Sequence, residues 1–170
     1  KEGIVFDKNK SQYIVQRTAG LRNKKYQYVE NCPPMKWKLM DGDSTIAGYK
    51  CNKAETELFG RTYIAWYSPD IAMPYGPYKF NGLPGLVLRI NDTRGHFDFV
   101  LNGLEKVHGY KPIYLWAKAD IVKTNRETVR KIYKNYCADP VSALTSSGVT
   151  IPDDVKATVS AKPYNPMEME

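Results

Sequence analysis

The stretch Asn81 to Ile90 reads NGLPGLVLRI, and after a short polar break HFDFVLN follows from His96. Two glycines and a proline stand within four residues, directly before the most apolar run of the chain. In LPGL, Pro84 presets the torsion wanted at the second position of a type II turn, and Gly85 supplies positive φ at the third. Gly82 permits a second reversal or the close approach of another backbone. LVLRIND and HFDFVLN flank TRG as a hairpin, with Leu86, Leu88 and Ile90 on one face and Phe97, Phe99 and Leu101 on the matching one. The corner either aims this strand or, through Leu83 and Pro84, forms the lip of an apolar pocket. It carries no bond-breaking chemistry. A nucleophilic elbow needs Ser or Cys at its apex, and a phosphate-cradling loop needs a following Lys-Ser/Thr on a helix.

Alternation extends in both directions. KKYQYVE places Tyr26, Tyr28 and Glu30 on one face, and MKWKLM sets Met35, Trp37 and Leu39 against Lys36 and Lys38. DGDS from Asp41 is a turn signal. Ile46 to Leu58 and RTYIAWYS from Arg61 form a hairpin around Phe59 and Gly60, with large side chains on both faces. SPDIAMPYGPYKF, holding three prolines, reads as an ordered loop, because proline has no N–H to give a central ladder. YLWAKADIV is a further strand. The one convincing helix is TNRETVRKIYKNYC, capped by Thr124 and Glu127, with a stripe of Val129, Ile132, Tyr133 and Tyr136. Pro140 stops it.

The length suits a single domain over 1–170: a polar lead (1–25) with one short strand at Ser11 to Gln16, a sheet and helix (26–137), and an extended tail (138–170). Consecutive strands with short turns predict a mainly β, β-rich α+β fold. Its core is an antiparallel sheet of about five to seven strands, with one helix from the C-terminal half over one face. The lack of strand–helix alternation disfavours a doubly wound nucleotide fold.

Thirteen tyrosines and three tryptophans suit strands, and mean hydropathy is negative. No run approaches the ~20 apolar residues of a membrane-spanning helix. The first residue is Lys1, as expected of a processed or trimmed product. The net charge of +7 would favour anionic headgroups, acidic glycans or nucleic acid, but the basic residues are scattered. Cys32, Cys51 and Cys137 lack CxxC spacing, which disfavours zinc. Either Cys32 pairs with Cys51 in an oxidising compartment, or all three are unpaired thiols.

Candidates for catalysis are few. His96 and His108 are the only histidines and have no metal-site spacing; Asp41 and Asp43 lack the remaining ligands of a calcium loop. Ser68, Asp70 and His96 have the residue types of a triad but no supporting spacing. Trp37, Tyr49, Trp66, Tyr67, Tyr75 and Tyr78 could stack on bases or sugars, yet no concentrated basic groove accompanies them, so nucleic acid is disfavoured. No catalytic residue, metal or cofactor is expected.

WKL at Trp37, IAGYKCNKA from Ile46, FGRTYIAWYSPDI from Phe59, GPYKFNGLPGLVLRIND from Gly76 and YNP at Tyr164 together resemble the GLPGLI family. These are exported proteins of the Bacteroides group; Val87 here replaces the usual Ile. Family members usually carry further strand-like sequence before the YxYxE-like segment. The resemblance implies an exported, envelope-associated protein of the periplasm or outer membrane, and brings no catalytic residues. By analogy it suggests a curved sheet or half-barrel wrapping a helix, similar to lipoprotein carriers.

Three functions follow as expectations. The first is a non-enzymatic binder of a lipid or other hydrophobic ligand on a concave face lined by Trp37, Tyr49, Trp66, Leu88 and Phe99, with Leu83 and Pro84 at the lip. The second is a protein-interaction accessory of an outer-membrane transport or secretion complex, contacting its partner through Tyr75 and Tyr78. The third, an enzyme, lacks a coherent acid, base and nucleophile.

Overall fold

The computed structural model describes residues 2–18, 24–106, 108–109, 114–116, 121–146, 148 and 150–168. The fold is mainly β, as the alternation requires. The described strands form two sheets rather than one, within two compact units: Lys1–Cys32 with Lys111–Asn165, and Pro33–Tyr110 with Pro166–Glu170. The physical break is Pro33-Pro34, which directly follows Cys32. Neither proline can donate to a ladder, so strand pairing ends there.

In the first unit, β1 (Glu2–Asp7), β2 (Gln12–Thr18) and β3 (Lys25–Asn31) are antiparallel, and β9 (Ile121–Lys123) joins β3 in parallel. The polar lead therefore carries two strands where one was expected. Of the strand read in YLWAKADIV, Ile121 and Val122 belong to β9, whereas 117–120 lie outside the described residues. Helix α1 (Arg126–Ala138) is capped by Asn125, whose side chain accepts from the Thr128 N–H, and not by Thr124. Val129 and Cys137 are its buried residues, and Val129 packs with Tyr13, Val15 and Tyr28. Beyond it the chain is not simply extended. Pro140 opens a second helix, α2 (Pro140–Thr145), where its missing N–H costs nothing, and Asp139 caps that helix. A third, α3 (Asp153–Lys156), is a single turn.

The second unit is an antiparallel meander: β4 (Lys38–Ile46), β5 (Tyr49–Leu58), β6 (Arg61–Ser68), β7 (Leu86–Asp92) and β8 (Asp98–Val100). Ala47-Gly48 and Phe59-Gly60 make its first two turns, all four residues having positive φ, as two-residue hairpins of matching twist require. DGDS is not a turn. β4 runs through it, with a register shift between Met40 and Asp43 that marks a bulge at Asp41-Gly42. Leu39, grouped in the sequence with Met35 and Trp37, parts from them: those two pack on the core, whereas Leu39 is 64% exposed on this edge strand.

A second bulge corrects the reading of β7. Trp66 pairs with Arg89 but Tyr67 with Val87, so Leu88 is the extra residue. The bulge brings Val87 beside Ile90 in a cluster with Ala54, Leu58, Tyr63, Ala65, Tyr67, Phe80 and Leu83, while Leu88 is buried outside that cluster and Leu86 is half-buried. One face of this sheet is thus filled by the loop between β6 and β7.

Candidate functional site

The corner is tighter than a type II turn. The Gly85 N–H donates to Leu83 O at 2.8 Å, closing a three-residue turn around Pro84, and Gly85 has φ +153° rather than the ~+80° of type II. Glycine is required at this position for room. A Cβ on Gly85 would lie 2.1 Å from Ser68 O and 2.9 Å from Pro69 Cα. Leu83 is buried in the core while Pro84 faces solvent. The Leu86 N–H donates to Ile71 O and the Val87 N–H to Tyr75 O, so the loop is laced to the strand it introduces.

Against the same core lies a polar cluster that sequence reading missed. Arg61 is buried and its Nη1 meets Asp92 Oδ2 at 3.0 Å; its Nε donates to Pro166 O at 3.0 Å. Tyr63 OH donates to Met167 O at 3.0 Å. Lys79, fully buried, meets Glu168 Oε1 at 2.5 Å, and Tyr78 OH donates to the same oxygen at 2.6 Å. Met167 packs on the apolar cluster. The C-terminal Pro166–Glu168 is therefore held by four side chains of this unit. Burial pushes the Tyr63 hydroxyl up to about 12, opposed by Arg61 and reinforced by Asp92 and Glu168. Asp92 is pushed up by burial, but the N–H groups of Phe97 and His96 and the Arg61 guanidinium outweigh that and lower it overall. Two signals pointed here. Arg61 stands on the inward face of RTYIAWYS with Tyr63, Ala65 and Tyr67, and Lys79 sits between Tyr78 and Phe80; a cation in such a setting needs an anion.

The unit also carries an apolar cleft of about 470 Å³, lined by Gly76, Pro77, Leu86 to Leu88 and Asp98 to Leu101. Of the expected lining residues it unites Leu88 and Phe99. The others stand elsewhere. Trp37 packs on the core and donates Nε1–H to Asn81 O at 2.8 Å; Leu83 is inside the core; Pro84 is at the surface. Tyr49 opens β5, half-buried, and Trp66 is half-buried on the β6 face opposite Tyr63, Ala65 and Tyr67. Of the two loop tyrosines, Tyr75 is 39% exposed, whereas Tyr78 is half-buried against Glu168.

Ser68, Asp70 and His96 do not converge. Ser68 pairs with Leu86 at one end of β6. His96 contacts Arg61, at the other end of β6, and Asp92, whose strand partner Tyr63 lies roughly 17 Å from Ser68 at ~3.3 Å per residue. Among the described residues no three His, Cys, Asp or Glu side chains are grouped to hold a metal ion. The expected Cys32–Cys51 disulfide is not formed; Cys32 Sγ lies 3.7 Å from Tyr13 OH, and burial raises the Cys51 thiol. No helix among the described residues is long and apolar enough to cross a membrane.

A family described as "Protein of unknown function (Porph_ging)" matches residues 57–89. That segment holds the end of β5, all of β6, the loop, the corner and the first half of β7. Two solved structures of PNGF-II, in space groups C2 and P21, share the fold, each with a TM-score of 0.60 at 18% identity. The similarity covers 78% of this chain but only 24% of the PNGF-II chain. No curated protein matches the sequence.

Proposed function

We propose that this chain is a non-enzymatic envelope protein of the GLPGLI type, exported to the periplasm or outer membrane, that binds a lipid acyl chain or similar hydrophobic ligand. The cleft beside β7 and β8 is the observation that carries this reading. Its volume of about 470 Å³ falls in the ~300–1,000 Å³ range of small-molecule sites. Its walls are Leu86, Val87, Leu88, Phe99, Val100 and Leu101, with Asp98 as the charged group at hand. The ligand belongs there and not over Tyr63 to Tyr67, because Phe80 and Leu83 already fill that face. The non-enzymatic part is supported by the separation of Ser68 from His96 and by the engagement of Arg61, Asp92, Lys79 and Glu168 with one another.

Native mass spectrometry of the purified chain, followed by titration with a fluorescent fatty acid, tests the reading. Saturable uptake is expected, weakened at least about tenfold in Val100→Asp, which places a charge on a half-exposed wall of the cleft without opening the core. Uptake that Val100→Asp leaves unchanged removes the cleft from the account, and a chain that takes up no apolar ligand removes the function.

The alternative, a docking module within a larger assembly, draws on the exposure of Met73 and Tyr75 along the β6–β7 loop. Loss of a co-purifying envelope partner in Tyr75→Ala, with lipid uptake intact, would favour it.

A further inference from the structure

The way Pro166–Glu168 is held has the features of ligand recognition. This segment lies outside both sheets formed by the described strands, and side chains reach its backbone and carboxylate. Arg61 Nε reads the Pro166 carbonyl, Tyr63 OH the Met167 carbonyl, and Lys79 with Tyr78 the Glu168 carboxylate, while the apolar cluster receives the Met167 side chain. The whole of Lys111–Asn165 separates the segment in sequence from the unit that holds it. Contacts of this kind depend on local chemistry at three consecutive residues and not on chain connectivity, so a separate peptide of the same chemistry meets the same groups.

We propose that Arg61, Tyr63, Tyr78 and Lys79 form a peptide-binding site specific for an apolar residue followed by a carboxylate residue, and that Pro166–Glu168 is its resident, exchangeable ligand. None of these four residues lines the apolar cleft, so the site stands independently of the lipid reading. Tethering gives the resident segment a high effective concentration, and it outcompetes added peptide in the unmodified chain. Weakening the resident opens the site. Charge pairing with Lys79, which is fully buried, makes the carboxylate the discriminating feature of any incoming peptide.

The test uses the full chain in two variants, Glu168→Ala and Met167→Ala, and an acetylated peptide Asn-Pro-Met-Glu-Met. Fluorescence anisotropy is expected to show saturable binding to both variants and little to the unmodified chain. A peptide carrying glutamine in place of its glutamate is expected to bind at least about tenfold more weakly. Lys79→Met, added to the Met167→Ala chain, is expected to erase that discrimination. Folded variants that bind no peptide overturn the proposal, as does equal binding of the glutamate and glutamine peptides. If both single variants fail to fold, by circular dichroism, the segment is an obligatory part of the core and the proposal is likewise overturned.

Discussion

Gly85 shows how much of the design rests on one missing methyl. Its hydrogen atom occupies space where a Cβ would lie 2.1 Å from Ser68 O, and backbone cannot yield as a flexible side chain can. Gly85→Ala is therefore expected to destabilise the chain by about 3 kcal/mol or more. Pro84→Ala, one residue earlier but solvent-facing, should cost under ~1 kcal/mol. Urea midpoints of the two variants measure the contrast. Tyr63 makes a second residue-scale prediction. Burial raises its hydroxyl to about 12, above the ~10 of an unfolded tyrosine. The folded state thus favours the neutral form. The corresponding stability is fully present below pH ~10 and disappears as pH climbs toward 12. Alkaline unfolding followed by circular dichroism should show this loss, and Tyr63→Phe should flatten the profile in that window. At this scale the requirement for glycine was legible in GLPG, but its cause was not. Pattern alone indicated positive φ; the nearby Ser68 backbone belongs to a segment seventeen positions away, whose approach no local rule encodes.

Elements were legible where periodicity was strict. The hairpins of β5 with β6 and of β7 with β8 stand where RTYIAWYS, LVLRIND and HFDFVLN alternate, and α1 stands where apolar residues recur at helical spacing. Bulges defeated the rest. At Asp41-Gly42 the residues of a turn serve to kink a continuing strand, and at Leu88 an inserted residue moves Val87 into the core. A bulge changes the period by one without changing composition, so the local pattern does not reveal it. The helix start was misplaced by one residue for a related reason: Thr124 and Asn125 are both competent caps, and the backbone at Asn125 decides between them. Asn125→Ala is expected to cost about 1 kcal/mol, and Thr124→Ala under ~0.5 kcal/mol. Thermal melts of the two variants distinguish them.

At the scale of the molecule, the β-rich class was readable because it sums local alternation, whereas the division into two sheets was not. Sheet membership depends on partners far apart in sequence, as when Lys25 pairs in parallel with Ile121. Pro33-Pro34 was the local sign of the division. The candidate site was legible in halves. Leu88 and Phe99 announced themselves as large apolar residues on facing strands and do meet in the cleft. Arg61, Lys79 and Glu168 did not, since an overall charge of +7 conceals which cations are turned inward. The proposed apolar ligand sits between β7, β8 and the Gly76-Pro77 bend. Methyl-resolved NMR of the full chain during titration with a medium-chain fatty acid tests it most directly. Saturable shifts are expected at the methyls of Val87, Leu88, Val100 and Leu101, with those of Val15 and Val129 unmoved. Shifts centred on Val15 and Val129, or none at the four cleft residues, would contradict it.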